Sequence, residues 1–224
     1  ERGMDIHNIV LLGEAGSGKT EIAANIAILL AEKDEKPVYL IDMDQTKCLF
    51  RARDFSSLLE KRQVHMAENQ ELWDSPLVPM GVSALLKDEG VRCVFDAGGN
   101  AAGAAMMGQF AGLLAGKTAR YYYVINPCRA FSGTVGEIRE SLAAIMVSAR
   151  VPAGRLEVIA NPYMGGYTTA ELIAGYYRRL EQELAKLDLS IKCLAVSKTF
   201  SSRVRKQINV PMLELDTFVD KLYV

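Results

Sequence analysis

Apolar residues in this 224-residue chain gather in short runs, and each run ends on a polar or turn-forming residue. Ile9–Leu12 is uninterrupted and leads into a glycine-rich stretch. Pro37–Ile41 ends on Asp42-Met-Asp44, Val91–Phe95 on Asp96, and Arg120–Ile125 on Asn126-Pro127. Leu156–Ala160 ends on Asn161-Pro162, and Ile191–Val196 on Ser197. Short, mainly apolar runs of this length read as buried strands. Between them the hydrophobic residues recur at helical spacing: first at Ile22, Ile26, Leu29 and Leu30, then over about 101–115, 134–149, 168–187 and 200–208.

Strands that alternate with helices predict an α/β fold, a single domain over 4–224 with a mainly parallel central sheet flanked by helices on both faces. Parallel neighbours need crossover connections, and the helices supply them. Residues 1–3, ahead of Met4, are set outside that domain. The stretch from 50 to 90 breaks the pattern. Phe50–Arg62 looks helical, Gln63–Ala67 reads as a short strand, and Trp73–Pro79 is irregular. A ligand-responsive region and a plain surface insertion both fit it.

Composition narrows the function. Half of the residues are hydrophobic, so a buried core is assured, and a net charge of −1 argues against nucleic-acid binding. No apolar run approaches the ~18 residues that span a bilayer, and no leader pattern is visible, so the expected location is cytoplasmic and away from membranes. Cysteines stand at 48, 93, 128 and 193 without a CxxC pair, and only His7 and His65 could join them. A four-ligand zinc site has little to draw on. Cys93 and Cys193 read as small core residues, whereas Cys48 and Cys128 fall in expected loops, where a thiolate shared across a dimer is conceivable.

The strongest chemical signal is Gly13-Glu-Ala-Gly-Ser-Gly-Lys19-Thr20, a match to GxxxxGK[ST] placed between an apolar strand and an amphipathic helix. That context lets successive backbone N–H groups and a helix N-terminus converge on phosphate oxygens. Lys19 would neutralise the β- and γ-phosphates, and the Thr20 hydroxyl would ligate Mg²⁺. A dinucleotide-type GxGxxG spacing is absent. Three carboxylates, Asp42, Asp44 and Asp96, stand at strand ends near this loop, where a magnesium-dependent hydrolase needs them. A turn or helix cap is the plainer role for any one of them. Gly98-Gly99 suits a segment that moves or donates an N–H to phosphate.

At these residues the chain resembles the MinD/ParA-like ATPases of the SIMIBI class of P-loop proteins, and over Asp74–Phe131 it is similar to uncharacterised MinD-like ATP-binding proteins. Besides the phosphate loop, the resemblance rests on Leu40–Asp44 as a first switch and on Asp96-Ala-Gly-Gly99 as a second. Ile159-Ala-Asn161, Ala195-Val-Ser197 and Val210-Pro211 extend it towards the C-terminus. It implies ATP and Mg²⁺ as cofactors, with Lys19 and Asp44 catalytic and Asp44 orienting the hydrolytic water. Thr20, Asp44 and Asp96 would surround the metal. Gly13, Glu14, Ala15, Gly16, Ser17, Gly18, Lys19, Thr20 and Glu21 would cradle the phosphates together with Gly99. Asn161, Pro162, Val196 and Ser197 would hold adenine, and the absence of an NKxD tetrad favours ATP over GTP.

One departure stands out. The family's signature lysine, at the second loop position, is Glu14 here. Lys47, Arg51, Arg53 and Arg129 are candidate replacement cations. The resemblance implies a nucleotide-dependent homodimer that acts as a switch on an unidentified protein client, such as a metalloenzyme or corrinoid protein under maturation. A phosphotransferase or ligase acting on a tyrosine or a small acid is the alternative. Lys198, Arg203, Arg205 and Lys206 form a small basic patch, read as a solvated helix face.

Overall fold

A computed structural model describes residues 7–43, 56–66, 81–115, 119–130, 132–152 and 154–218. Eight strands run through it: β1 (Asn8–Leu12), β2 (Val38–Asp42), β3 (Val64–Met66), β4 (Arg92–Asp96), β5 (Ala119–Ile125), β6 (Leu156–Ala160), β7 (Ile191–Ser197) and β8 (Met212–Leu215). They form one sheet in the order β3-β2-β4-β1-β5-β6-β7-β8, and every pairing is parallel. The fold is thus a single α/β layer system of the expected kind. Among the described residues no helix is long and apolar enough to cross a membrane.

Because strand side chains alternate, the continuous apolar runs feed two separate cores. Val10, Leu12, Phe95, Tyr121, Tyr123 and Val196 face one of them. There they pack against α3 (Val82–Lys87), α4 (Ala101–Gly108), α5 (Ala111–Leu114), α6 (Val135–Ala149), α7 (Ala170–Ala185) and α8 (Lys198–Arg205). Ile9, Leu11, Val94, Val124 and Ala195 face the other, beneath α1 (Lys19–Lys33) and α2 (Ser56–Lys61). Each fully buried leucine, such as Leu11 or Leu12, contributes roughly 2 kcal/mol by leaving water. Helix α7 shows how the pattern works: Ala170, Ile173, Ala174, Tyr177, Leu180 and Leu184 are its buried stripe.

The central strand decides where a ligand can go. From β1 the chain crosses through α1 towards β2, whereas β4 leads through α4 and α5, on the opposite face, to β5 on the other side of β1. Crossovers that part in this way open a crevice beyond the strands' carboxyl ends. The expected strands are all present, Tyr121–Tyr123 among them, and β8 is an additional one. The 50–90 stretch contributes α2, α3 and the edge strand β3, with 44–55 and 67–80 outside the described residues. The helix expected over 101–115 is divided into α4 and α5, and α8 starts at Lys198 rather than at 200.

Candidate functional site

Between Leu12 and Lys19 the chain makes a loop with positive φ at Gly13, Gly16 and Gly18. Gly18 is the N-cap of α1, at φ 92°, and no side chain caps this helix. By contrast α4, α6, α7 and α8 begin at Asn100, Thr134, Thr169 and Ser197, whose side chains each accept a backbone N–H. A helix N-terminus without a side-chain cap at the mouth of a glycine loop suits an anion. The Ser17 hydroxyl is buried there with no hydrogen-bond partner among the described residues, an acceptor and donor fit for a phosphate.

Lys19 is 3% exposed, and its ammonium donates to the Glu14 carbonyl at 2.9 Å. The Thr20 hydroxyl donates to Asp96 Oδ2 at 2.5 Å. Asp96 is fully buried at the end of β4. Its carbonyl accepts the Met43 N–H at 2.9 Å, and the next residue, Ala97, donates to Leu11 at 3.1 Å. The tips of β2, β4 and β1 are therefore stitched together directly under the loop. Gly99 closes over it: a Cβ built there would stand 2.7 Å from the Ala15 Cα. Residues 13–21, Asp96 and Gly99, expected together from the sequence, are brought to one place. Asp44, Lys47, Cys48, Arg51 and Arg53 lie outside the described residues.

On the far side of the loop, Asn161 Nδ2 donates to the Ser17 carbonyl at 2.8 Å. The amide passes so close that a Cβ on Gly18 would come within 2.1 Å of it, so glycine is required there on space as well as on φ. A groove opens beside this contact. Gly18, Glu21, Asn161, Pro162, Val196 and Ser197 line it, in keeping with the residues singled out from sequence. Tyr163, Phe200, Leu215 and Thr217 also line it and were not foreseen. The last two follow Val210-Pro211, at and just after a strand of only four residues, Met212–Leu215, too short to show a period. The segment after β8 is pinned to α1: Asn25 donates to the Asp216 carbonyl at 3.0 Å and accepts its N–H at 2.8 Å, while Glu21 accepts the Phe218 N–H.

Glu14 has an unexpected neighbour. Its carboxylate accepts a hydrogen bond from Ser141 of α6, and Ser141 shares a second, 2.5 Å bond with the Tyr123 hydroxyl. Burial, reinforced by the Glu14 charge and opposed by the Ser141 bond, pushes the Tyr123 phenol up to about 12. Burial also pushes the thiols of Cys93 to about 12 and of Cys128 and Cys193 to about 11, although Arg129 opposes it at Cys128. None of the three is a ready thiolate at neutral pH. In the basic patch Lys198 pairs with Asp216, Arg205 pairs with Glu214, and Arg203 lies over the Phe200 ring.

The fold and this loop define a P-loop nucleotide-binding protein. The model of the CobQ/CobB/MinD/ParA nucleotide binding domain (CbiA) matches residues 9–215, and the chain belongs to that family. No curated protein matches it. Among solved structures, the cell division protein FtsY of Thermotoga maritima superposes with a TM-score of 0.55 at 15% identity, covering 85% of this chain and 61% of that one. FlhF complexed with GMPPNP and Mg²⁺ gives 0.49 at 15% identity, over 81% and 64%. FtsY of Elizabethkingia anophelis in complex with GDP gives 0.44 at 17% identity, over 95% and 57%. At 15% identity the likeness to the Thermotoga maritima protein is one of fold. The chain spans about six-tenths of the length of these structures.

Proposed function

We propose that the chain binds ATP with Mg²⁺ in this crevice, hydrolyses it, and passes its nucleotide state to a protein client as a MinD/ParA-type switch. The observation that carries this reading is the 2.5 Å hydrogen bond from Thr20 to Asp96. It joins the residue expected to meet the cation to the residue that begins the second switch. Mg²⁺, when bound, would supply positive charge that offsets the charge of the phosphates. Thr20, through its hydroxyl oxygen, and Asp96 would hold the cation, and Gly99, seated on Ala15, would lie next to any change in their bond. Lys19 exchanges the Glu14 carbonyl for phosphate oxygens. Asp44 orients the attacking water, and Asn161 with Pro162, Val196 and Ser197 receives the adenine. A nucleotide-dependent homodimer is the form in which the switch meets its client.

Incubation with γ-labelled ATP tests the reading. Wild-type chain should release free phosphate, and Asp44→Ala should bind ATP as well as wild type while release stops. Hydrolysis at the wild-type rate by Asp44→Ala would sink the role of Asp44. Label appearing on a tyrosine or a small acid would favour a phosphotransferase instead. Capture with Asp44→Ala held in its ATP form is the route to the client.

A further inference from the structure

The family's trans-acting lysine is missing, and the structure offers a cation from within the same chain. Residue 14, which carries that lysine in relatives of the MinD kind, is turned inward: the Glu14 carboxylate is held by Ser141, itself bonded to Tyr123. A carboxylate left loose at this position would repel a terminal phosphate, and the Ser141 bond keeps it aside. On the solvent side of the same loop stands Arg129. Its Nε lies 3.8 Å from the position of a Cβ built on Gly16, an exposed loop residue. Arg129 is itself exposed and makes no ion pair among the described residues.

The turn that carries Arg129 is braced. Asn126, 2% exposed at the end of β5, donates through Nδ2 to the Tyr163 carbonyl at 2.9 Å and accepts the Cys128 N–H at 3.0 Å. The Arg129 N–H closes the turn on the Asn126 carbonyl at 3.1 Å. Since β5 pairs directly with β1, with Leu12 opposite Tyr123, the turn and the phosphate loop leave the sheet side by side. An arginine held at its base and free at its tip is suited to grip an anion bidentately. The loop residue it stands against, Gly16, precedes Gly18 and Lys19, so it belongs to the outer, terminal-phosphate end of the cradle.

We propose that Arg129 contacts the terminal phosphate of a bound nucleoside triphosphate in cis, taking over the charge that relatives receive from a partner's lysine, while Ser141 holds Glu14 out of the way. The proposal rests on nucleotide binding at this loop. It is tested with fluorescent ADP and a fluorescent non-hydrolysable ATP analogue. Arg129→Ala should bind the triphosphate on the order of 10- to 100-fold more weakly, as loss of a charge-assisted contact implies, and bind ADP within about twofold of wild type. Arg129→Lys should recover part of the loss. Adding Lys19→Ala chain, which still offers Arg129, should not restore triphosphate binding to Arg129→Ala. Equal losses for both nucleotides, no loss at all, or restoration on mixing would overturn the proposal. Wild-type chain that binds neither nucleotide would remove the reading beneath it as well.

Discussion

Two neighbouring units of this sheet are built alike and finished differently. In the first, β1 passes through a glycine loop into α1; in the second, β5 passes through the Asn126–Arg129 turn and on into α6. The start of α6 is complete in itself, because Thr134 and Glu137 form a reciprocal capping box. The start of α1 has no side-chain cap and opens on glycines. The start of α6 satisfies its own first turn, whereas the start of α1, at the mouth of the glycine loop, leaves its N–H groups for an anion. The bond from Ser141 to Glu14 ties the two units together.

The contrast can be broken in order of effect. Lys19→Ala strikes the unit built for binding and should weaken nucleotide affinity by at least ~100-fold, as calorimetric titration would show. A smaller loss would mean that the loop is not where phosphate is held. Nucleotide at about 100 times its Kd should stabilise the fold by about 2.7 kcal/mol, read as a rise in melting temperature. Hydrogen exchange should place the new protection at the start of α1, and equal protection at the start of α6 would erase the distinction. Thr134→Ala should cost about 1 kcal/mol of stability in denaturant unfolding and leave nucleotide affinity within about twofold.

The smallest effect probes the bridge. Tyr123 has its folded pKa raised to about 12 from 10, so the stability linked to it is complete below pH 10 and is lost as pH rises towards 12. Tyr123→Phe should remove one late-ionising phenol from an alkaline absorbance titration. If the number of late phenols is unchanged, Tyr123 is not buried beside Ser141 in solution.

Much of this was legible in the residues. The phosphate loop and the acidic strand ends are local patterns, and locality is what spacing can express. Contacts between distant segments leave no such trace: Ser141 meets Glu14 across 127 positions, and no property of either residue names the other. The break between α4 and α5 has the same origin. Gly108 lies so close to α6 that a Cβ there would stand 2.4 Å from the Ser148 carbonyl, a tertiary constraint acting on a sequence that otherwise reads as one helix. Strand β8 escaped because four residues at a sheet edge carry little period.

The hydrogen bonds that pin the segment after β8 to α1 also set an order of events in synthesis. Asn25 meets Asp216 across 191 residues, and Glu21 meets Phe218 across 197. A ribosome adding roughly 5–20 residues per second makes the phosphate loop on the order of ten seconds or more before the wall that faces it. During that interval the nascent chain carries Lys19 and Thr20 but lacks Leu215 and Thr217, so nucleotide meets half a groove. Nucleotide can therefore steady the finished protein while giving little help to the unfinished one.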